Sequence, residues 1–263
     1  MIGKTGNYSR THSSLLKADE STSKTLNRIA SGKRINRASD DPAGLSMAMA
    51  LESQNRGLFV QIANRQDEIS LLQTAEGALS STGDMLQRMN ELSVQAANST
   101  LTDSDREVIQ LEIDQLRQQI DQTAANTNYN TRNLLDGSLD IQLQNGENFA
   151  ISAMNSASLG VESIDLRTTE SAGSAIGQVS QAINQVTSQR SSIGAVQNGI
   201  SSEINSLRSE LVNSTAAQSR IEDADMAREI IELSKAELQS KVAIKAFKMQ
   251  DETRTTVLGL LGD

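Results

Sequence analysis

The sequence predicts a mainly α-helical protein: a long antiparallel helical coiled-coil bundle with one β-hairpin, and terminal helices paired in a second coiled coil. Three observations carry this reading. Aromatics make up 2% of the chain, tryptophan is absent and proline occurs once, a profile of long helices packed side by side. Two extended stretches, from Leu58 to Met89 and from Ile176 to Leu211, repeat apolar residues at steps of three, four and seven. Each end of the chain carries a weaker apolar stripe that only the other end is placed to cover.

The elements follow in order. Residues 1–13 are polar and are expected to stay irregular in the free chain. From Ser14 to Ala30, Leu15, Leu16, Ala18, Leu26, Ile29 and Ala30 form a weak helical stripe. The stretch Ser31 to Leu45, SGKRINRASDDPAGL, interrupts it. Gly32 suits the left-handed position that ends a helix. Asp41 suits the cap of the next one, with Pro42 at its first position, where a missing N–H and a fixed φ cost nothing.

The first long seam then runs through Leu58, Ile62, Ile69, Leu72, Leu79, Leu86 and Met89. It should stop near NSTLTDSD, where Thr102 or Ser104 caps a second helix and Ser104 with Glu107 reads as a capping box. Ile109, Ile113, Leu116 and Ile120 line that helix, which ends at the Asn-rich turn NTNYNTRN. In IQLQNGENFAIS, alternating residues on both sides of Asn145-Gly146 predict a β-hairpin near 141–152. A Ser- and Gly-containing loop leads to the second seam, Val179, Ile183, Val186, Ile193, Val196, Ile200, Ile204, Leu207 and Leu211. Beyond RIEDADMA a last amphipathic helix carries Ile230, Leu233, Leu238, Val242, Ala246 and Met249, and the chain closes on VLGLL.

Composition excludes several classes of function. With no cysteine there is no disulfide framework and no thiol chemistry. No apolar run approaches the roughly 20 residues of a membrane span. The opening MIGKTGNYSRTHSS lacks the apolar core of a cleavable signal, so export is expected by another route. The net charge of −9 is uneven: residues 1–40 hold eight Lys and Arg against Asp19, Glu20 and Asp40. No aromatics are interleaved with those cations, so pairing with an acidic segment of the same chain is expected, not nucleic acid or membrane.

Chemistry-bearing motifs are few, and no enzyme activity or cofactor is expected. His12 is the single histidine and lies in the polar tip. Asp103-x-Asp105 and Asp223-x-Asp225 lack the glycine and spaced carboxylates of a calcium loop, and helix capping accounts for the first pair. No phosphate-binding glycine loop and no HExxH occurs. Asn98-Ser-Thr and Asn213-Ser-Thr match the N-glycosylation pattern, and the Ser-rich 152–174 loop is the expected place for O-linked sugars if any are carried.

One surface follows from helical geometry: Arg88, Leu92 and Gln95 fall on the side of their helix opposite Leu72, Leu79 and Leu86, and an exposed leucine beside an arginine reads either as a contact or as a stray surface leucine.

Four segments together resemble bacterial flagellin: SGKRINRASDDPAGL, LQTAEGALSSTGDMLQRMNELSVQAAN, NYNTRNLLDG and SRIEDADMAREIIELSKAEL ahead of an apolar C-terminus. They occur in the family's order and cover nearly the whole chain. Only segment 137–172 separates the two similar ends, so the chain is similar to a short flagellin lacking the variable outer domains. The tip MIGKTGNYSRTH and the tail QDETRTTVLGLL depart from the family's usual ends.

The resemblance implies a structural subunit that polymerises into the flagellar filament used for swimming, secreted and extracellular; the alternatives are a hook–filament junction protein or a secreted coiled-coil effector. It further implies a division of the chain. Residues 1–44 are an inner-tube helix and spoke connector, 45–172 the N-terminal part of an outer-tube bundle with its hairpin, 173–220 that bundle's C-terminal helix, and 221–263 a C-terminal inner-tube helix.

It implies roles for named residues as well. Arg88, Leu92, Gln95 and Glu112 are expected to contact a neighbouring subunit or a host Toll-like receptor. Lys33, Arg34, Arg37, Asp41 and Pro42 belong to the spoke and to bonds between subunits. Ile230, Leu233, Leu238, Val242 and Leu258 form the face taken first by an export chaperone and then by the inner tube. The remaining partners implied are copies of the chain itself, the filament cap and the hook-junction proteins.

Overall fold

The computed structural model describes the backbone of residues 2–142 and 148–260; side chains are described from His12 onward, except at 250, 254 and 256–260. The described elements are α1 (Ile2–Ser31), α2 (Pro42–Ala96), α3 (Asp103–Asn126), β1 (Asn128–Tyr129), β2 (Arg132–Asn133), β3 (Asp140–Gln142), β4 (Asn148–Ala150), α4 (Thr169–Glu222) and α5 (Met226–Leu260). The chain divides into two compact units, one of residues 1–59 with 208–263 and one of residues 60–207, and α2 and α4 each contribute to both.

In the terminal unit, α1 and α5 pair antiparallel. Their polar contacts recede on one helix as they advance on the other: Arg28 to Glu229 at 3.3 Å, and the Ser240 hydroxyl to Asp19 at 3.1 Å. Ala18, Thr25, Ala236 and Ala243 are buried, small residues that allow close approach of the two helices. Helix α1 begins at Ile2, earlier than the irregular tip expected, because the tip contains no proline and its glycines are isolated.

The second unit is built on three helices. Antiparallel α2–α3 is fixed by Arg88 to Glu112 and Arg106 to Ala96, and antiparallel α2–α4 by Arg65 to Glu203 and Arg190 to Glu76. The core takes Leu72, Leu79, Leu86 and Met89 from α2, Ile113 and Ile120 from α3, and Val179, Val186 and Ile193 from α4. Paired arginine–carboxylate contacts across the seam fix its register, the function that apolar contacts alone perform poorly.

The expected hairpin forms as β3–β4, with Ile141 opposite Phe149; the Asn145-Gly146 turn lies outside the described residues. A second, smaller hairpin, β1–β2, stands where the sequence reading had only an Asn-rich turn. Its loop residues Asn130 and Thr131 have φ of 48° and 66°, the two left-handed positions of a type I′ connection. Leu134, Leu135, Leu139 and Ile151 beside these hairpins are fully or nearly fully buried.

Candidate functional site

The junction between α1 and α2 is irregular and tightly tied. Gly32 sits at φ 70° and ends α1, and its carbonyl accepts the Ala224 N–H at 2.9 Å. The Arg34 N–H donates to the Glu222 carbonyl, and the Arg34 guanidinium to the Ile221 carbonyl, both at 2.6 Å. Two of the carbonyls left open at the end of α4 are thus satisfied by one residue of the connector. Lys33 donates to the Glu222 carboxylate, and that hydrogen bond holds the lysine pKa above its ordinary value.

On the other side of the junction, Asp41 accepts the Gly44 N–H at 2.9 Å and α2 starts at Pro42. A Cβ at Gly44 would stand 2.5 Å from the Asp41 carboxylate and 2.7 Å from Ile35, so a larger residue there requires the capping carboxylate and the Ile35 methyl to shift. Lys24 binds the Asp40 carboxylate at 3.0 Å. Lys33 and Arg34, expected to face neighbouring subunits, each place one side-chain hydrogen bond within the chain and stay exposed. Arg37 is exposed, and its guanidinium makes no hydrogen bond or ion pair among the described residues.

A second cluster lies on α2 and α3. Arg88 donates to Glu112 at 2.8 Å and to Glu91 at 3.1 Å, in that order the causes that raise its pKa. Gln95 is exposed. Leu92 corrects the sequence reading: it is 2% exposed, not a surface leucine. The argument from the Leu72–Leu79–Leu86 seam assumed one buried stripe, but α2 packs against α3 as well as α4, and the additional partner widens the buried face to include Leu92. The apolar residues that are exposed here, Val94, Val108 and Leu111, escaped the sequence reading because they fall between the seam positions.

The third cluster is the outer face of α5. Leu238 is 63% exposed and Val242 60%, and Ile230, Ile231 and Met249 are likewise open. Leu233 is half-buried, and the Leu258 side chain lies outside the described residues. One aspartate of each pair caps a helix: Asp105 joins Thr102 in a reciprocal capping box at α3, and Asp225 accepts the N–H groups of Ala227 and Arg228 at α5. The box uses Thr102 and Asp105, not the expected Ser104 and Glu107, because α3 starts one residue after Thr102. His12 is exposed.

Sequence reasoning also missed the residues that strap the 151–168 segment to α3. Gln110 grips it with both ends of its amide, Nε2 donating to the Ile164 carbonyl at 3.1 Å and Oε1 accepting the Leu166 N–H at 2.8 Å. Asp121 accepts from the Ser156 N–H and hydroxyl.

Comparison with known proteins agrees with this architecture. The profile of the bacterial flagellin N-terminal helical region matches residues 2–140, and that of the C-terminal helical region matches residues 176–261. The flagellin of Halalkalibacterium halodurans is 37% identical over 250 residues, covering 90% of this chain and 91% of its own. The crystal structure of Bacillus cereus flagellin superposes with a TM-score of 0.50 at 31% identity, covering 59% of this chain and 94% of that one. A Vibrio parahaemolyticus structure described as hook-associated reaches a TM-score of 0.60 at 15% identity, over 70% of this chain and all of that one, a likeness of fold alone.

Proposed function

The chain belongs to the bacterial flagellin family and is a structural subunit of the flagellar filament, and from that premise we infer how its surfaces divide the work of assembly. The α1–α5 pair forms the inner tube, the 32–41 connector the spoke, and the three-helix unit the outer tube. The observation that carries this reading is the uncovered apolar stripe of α5. A two-helix coil buries one face of each helix, and Ile231, Leu238, Val242 and Met249 lie on the face left over. Copies of the same helix pair cover such a stripe in a polymer; before assembly a helical export chaperone covers it.

The outer unit offers Arg88, Gln95 and Glu112, supported from beneath by Leu92, as the contact for a neighbouring subunit and for a host Toll-like receptor. Arg37 is the connector's cation for a neighbour, while Lys33, Arg34, Asp41 and Pro42 shape the spoke from within. The filament cap and hook-junction proteins meet the ends of the polymer, and the finished filament lies outside the cell. The hook–filament junction reading is less favoured, since the hook-associated likeness is one of fold at 15% identity while flagellin relatives reach 37%.

Seeded polymerisation of the full chain tests the inner-tube assignment. Wild type is expected to extend filament seeds into long filaments under negative stain. A variant carrying Leu238→Asp and Val242→Asp is expected to keep its helical circular dichroism and remain monomeric; extension at the wild-type rate would overturn the assignment.

A further inference from the structure

We propose that Asn98 is an acceptor for N-linked glycosyl transfer and that Asn213, which shares its N-x-[ST] pattern, is not. The two sequons are alike in sequence, Asn98-Ser99-Thr100 and Asn213-Ser214-Thr215, and opposite in conformation. The inference does not depend on which tube either segment enters.

Asn98 lies between α2 and α3, and Asn98, Ser99 and Thr100 are all exposed. Both donors of Thr100 converge on the Asn98 side chain: its N–H reaches Oδ1 at 3.1 Å and its hydroxyl reaches the same oxygen at 3.0 Å. The Asn98 amide nitrogen makes no hydrogen bond among the described residues, so with Oδ1 held by Thr100 the Nδ2 is left to solvent. Two hydrogen bonds into the amide oxygen favour the charge that gathers there when an Nδ2 proton departs. The buried Arg106 fixes the backbone of this turn, its Nη2 donating to the Asn98 carbonyl at 3.1 Å.

Asn213 sits inside α4, where residues two apart point to different sides of the helix. Thr215 therefore does not reach the Asn213 amide, and Ser214 between them is buried. Presenting this sequon to an enzyme requires unwinding the C-terminal turns of a long helix.

The ligand class is an activated glycosyl phosphate, delivered by a glycosyltransferase. Nδ2 forms a bond to the sugar's anomeric carbon, the bond from that carbon to the phosphate oxygen breaks with its electron pair leaving on the phosphate, and one Nδ2 proton passes to a base of the transferase. Nothing is oxidised or reduced.

The test is peptide mapping by mass spectrometry of the full-length protein purified from the cells that make it. The peptide bearing Asn98 is expected to carry a saccharide mass increment, lost in Asn98→Gln and Thr100→Ala, kept in Thr100→Ser and unaffected by Asn213→Gln. Treating the wild-type protein with an amidase that cleaves N-linked sugars in ¹⁸O-water is expected to convert residue 98 to ¹⁸O-labelled aspartate, a readout that needs no variant to fold. An Asn98 peptide at its unmodified mass, or an increment confined to Asn213 or to a serine or threonine, overturns the proposal.

Discussion

Arg106 of α3 donates from Nε to the carbonyl oxygen of Ala96, the last residue of α2, at 3.0 Å. Its Nη2 reaches the Asn98 carbonyl and the Thr169 hydroxyl, each at 3.1 Å, and its Nη1 pairs with Asp103 at 3.2 Å. One buried guanidinium therefore closes the open end of α2, sets the turn into α3 and touches the first residue of α4. Arg106→Ala leaves the Ala96 carbonyl without its donor and takes one of two from the Asn98 carbonyl, which the Leu101 N–H still reaches. The expected cost is about 2 to 4 kcal/mol, read from denaturant unfolding. Arg106→Lys places a single nitrogen where three donated, so it is expected to recover less than half of the loss. A destabilisation below about 0.5 kcal/mol, the range of ordinary surface substitutions, would contradict this role.

Acid sensitivity follows from three carboxylates held below the usual range. Asp40 is lowered chiefly by its hydrogen bond with Lys24, Asp105 by the Thr102 hydroxyl and Asp136 by the Ser138 hydroxyl. A folded-state pKa below the unfolded one adds stability that is present above the unfolded value, about pH 4, and is lost as pH falls through the folded value. Denaturation midpoints should therefore hold steady at neutral pH and decline below about pH 4. In Thr102→Ala the gap from wild type should narrow through that window, because the mutant lacks the bond that lowers Asp105. A gap independent of pH would mean that Asp105 does not titrate through the cap.

Much of this fold was legible because helices announce themselves by period. Leu72, Leu79, Leu86, Ile113, Val186 and Ile193 were readable as core from spacing, as were the start of α2 at Asp41-Pro42 and the pairing of β3 with β4. What period does not carry is the number of neighbours each helix has. Leu92 looked exposed because one seam was counted where α2 has two, and the exposed Val94, Val108 and Leu111 went unnoticed because they fall between the seam positions. Polar residues were harder still. Gln110, Asp121 and Arg106 act through backbone groups far away in sequence, and nothing in a local pattern tells a glutamine that clamps a loop from one that meets water.

The connector separates two arginines by what they touch. Arg34 donates to the end of α4, whereas the Arg37 guanidinium makes no bond among the described residues. Arg34→Ala is expected to lower the unfolding midpoint of the monomer as well as to alter filaments, since it removes a donor from an α4 carbonyl. Arg37→Ala should leave the monomer's unfolding unchanged while changing filament shape or elongation rate in seeded assembly. Equal effects of the two substitutions on monomer and filament would remove the distinction.

Arg88 and Glu112 join α2 to α3 at 2.8 Å, with side chains 48% and 44% exposed, and Glu91 takes a second bond from the same guanidinium. Exposed ion pairs contribute little to stability because water screens them and the long side chains lose freedom when held. Arg88→Ala and Glu112→Ala are therefore expected to leave the monomer's unfolding transition where it is. If the pair belongs to the contact surface, both variants slow seeded elongation and weaken a Toll-like receptor reporter response. The double variant should lose less than the two single losses combined, because either change already breaks the pair. Leu92→Ala is the internal contrast: at 2% exposure its truncation opens a cavity costing about 2 to 4 kcal/mol, so any assembly defect there comes with a destabilised fold. Wild-type elongation and full receptor response in the double variant would show that this face of the subunit meets neither partner.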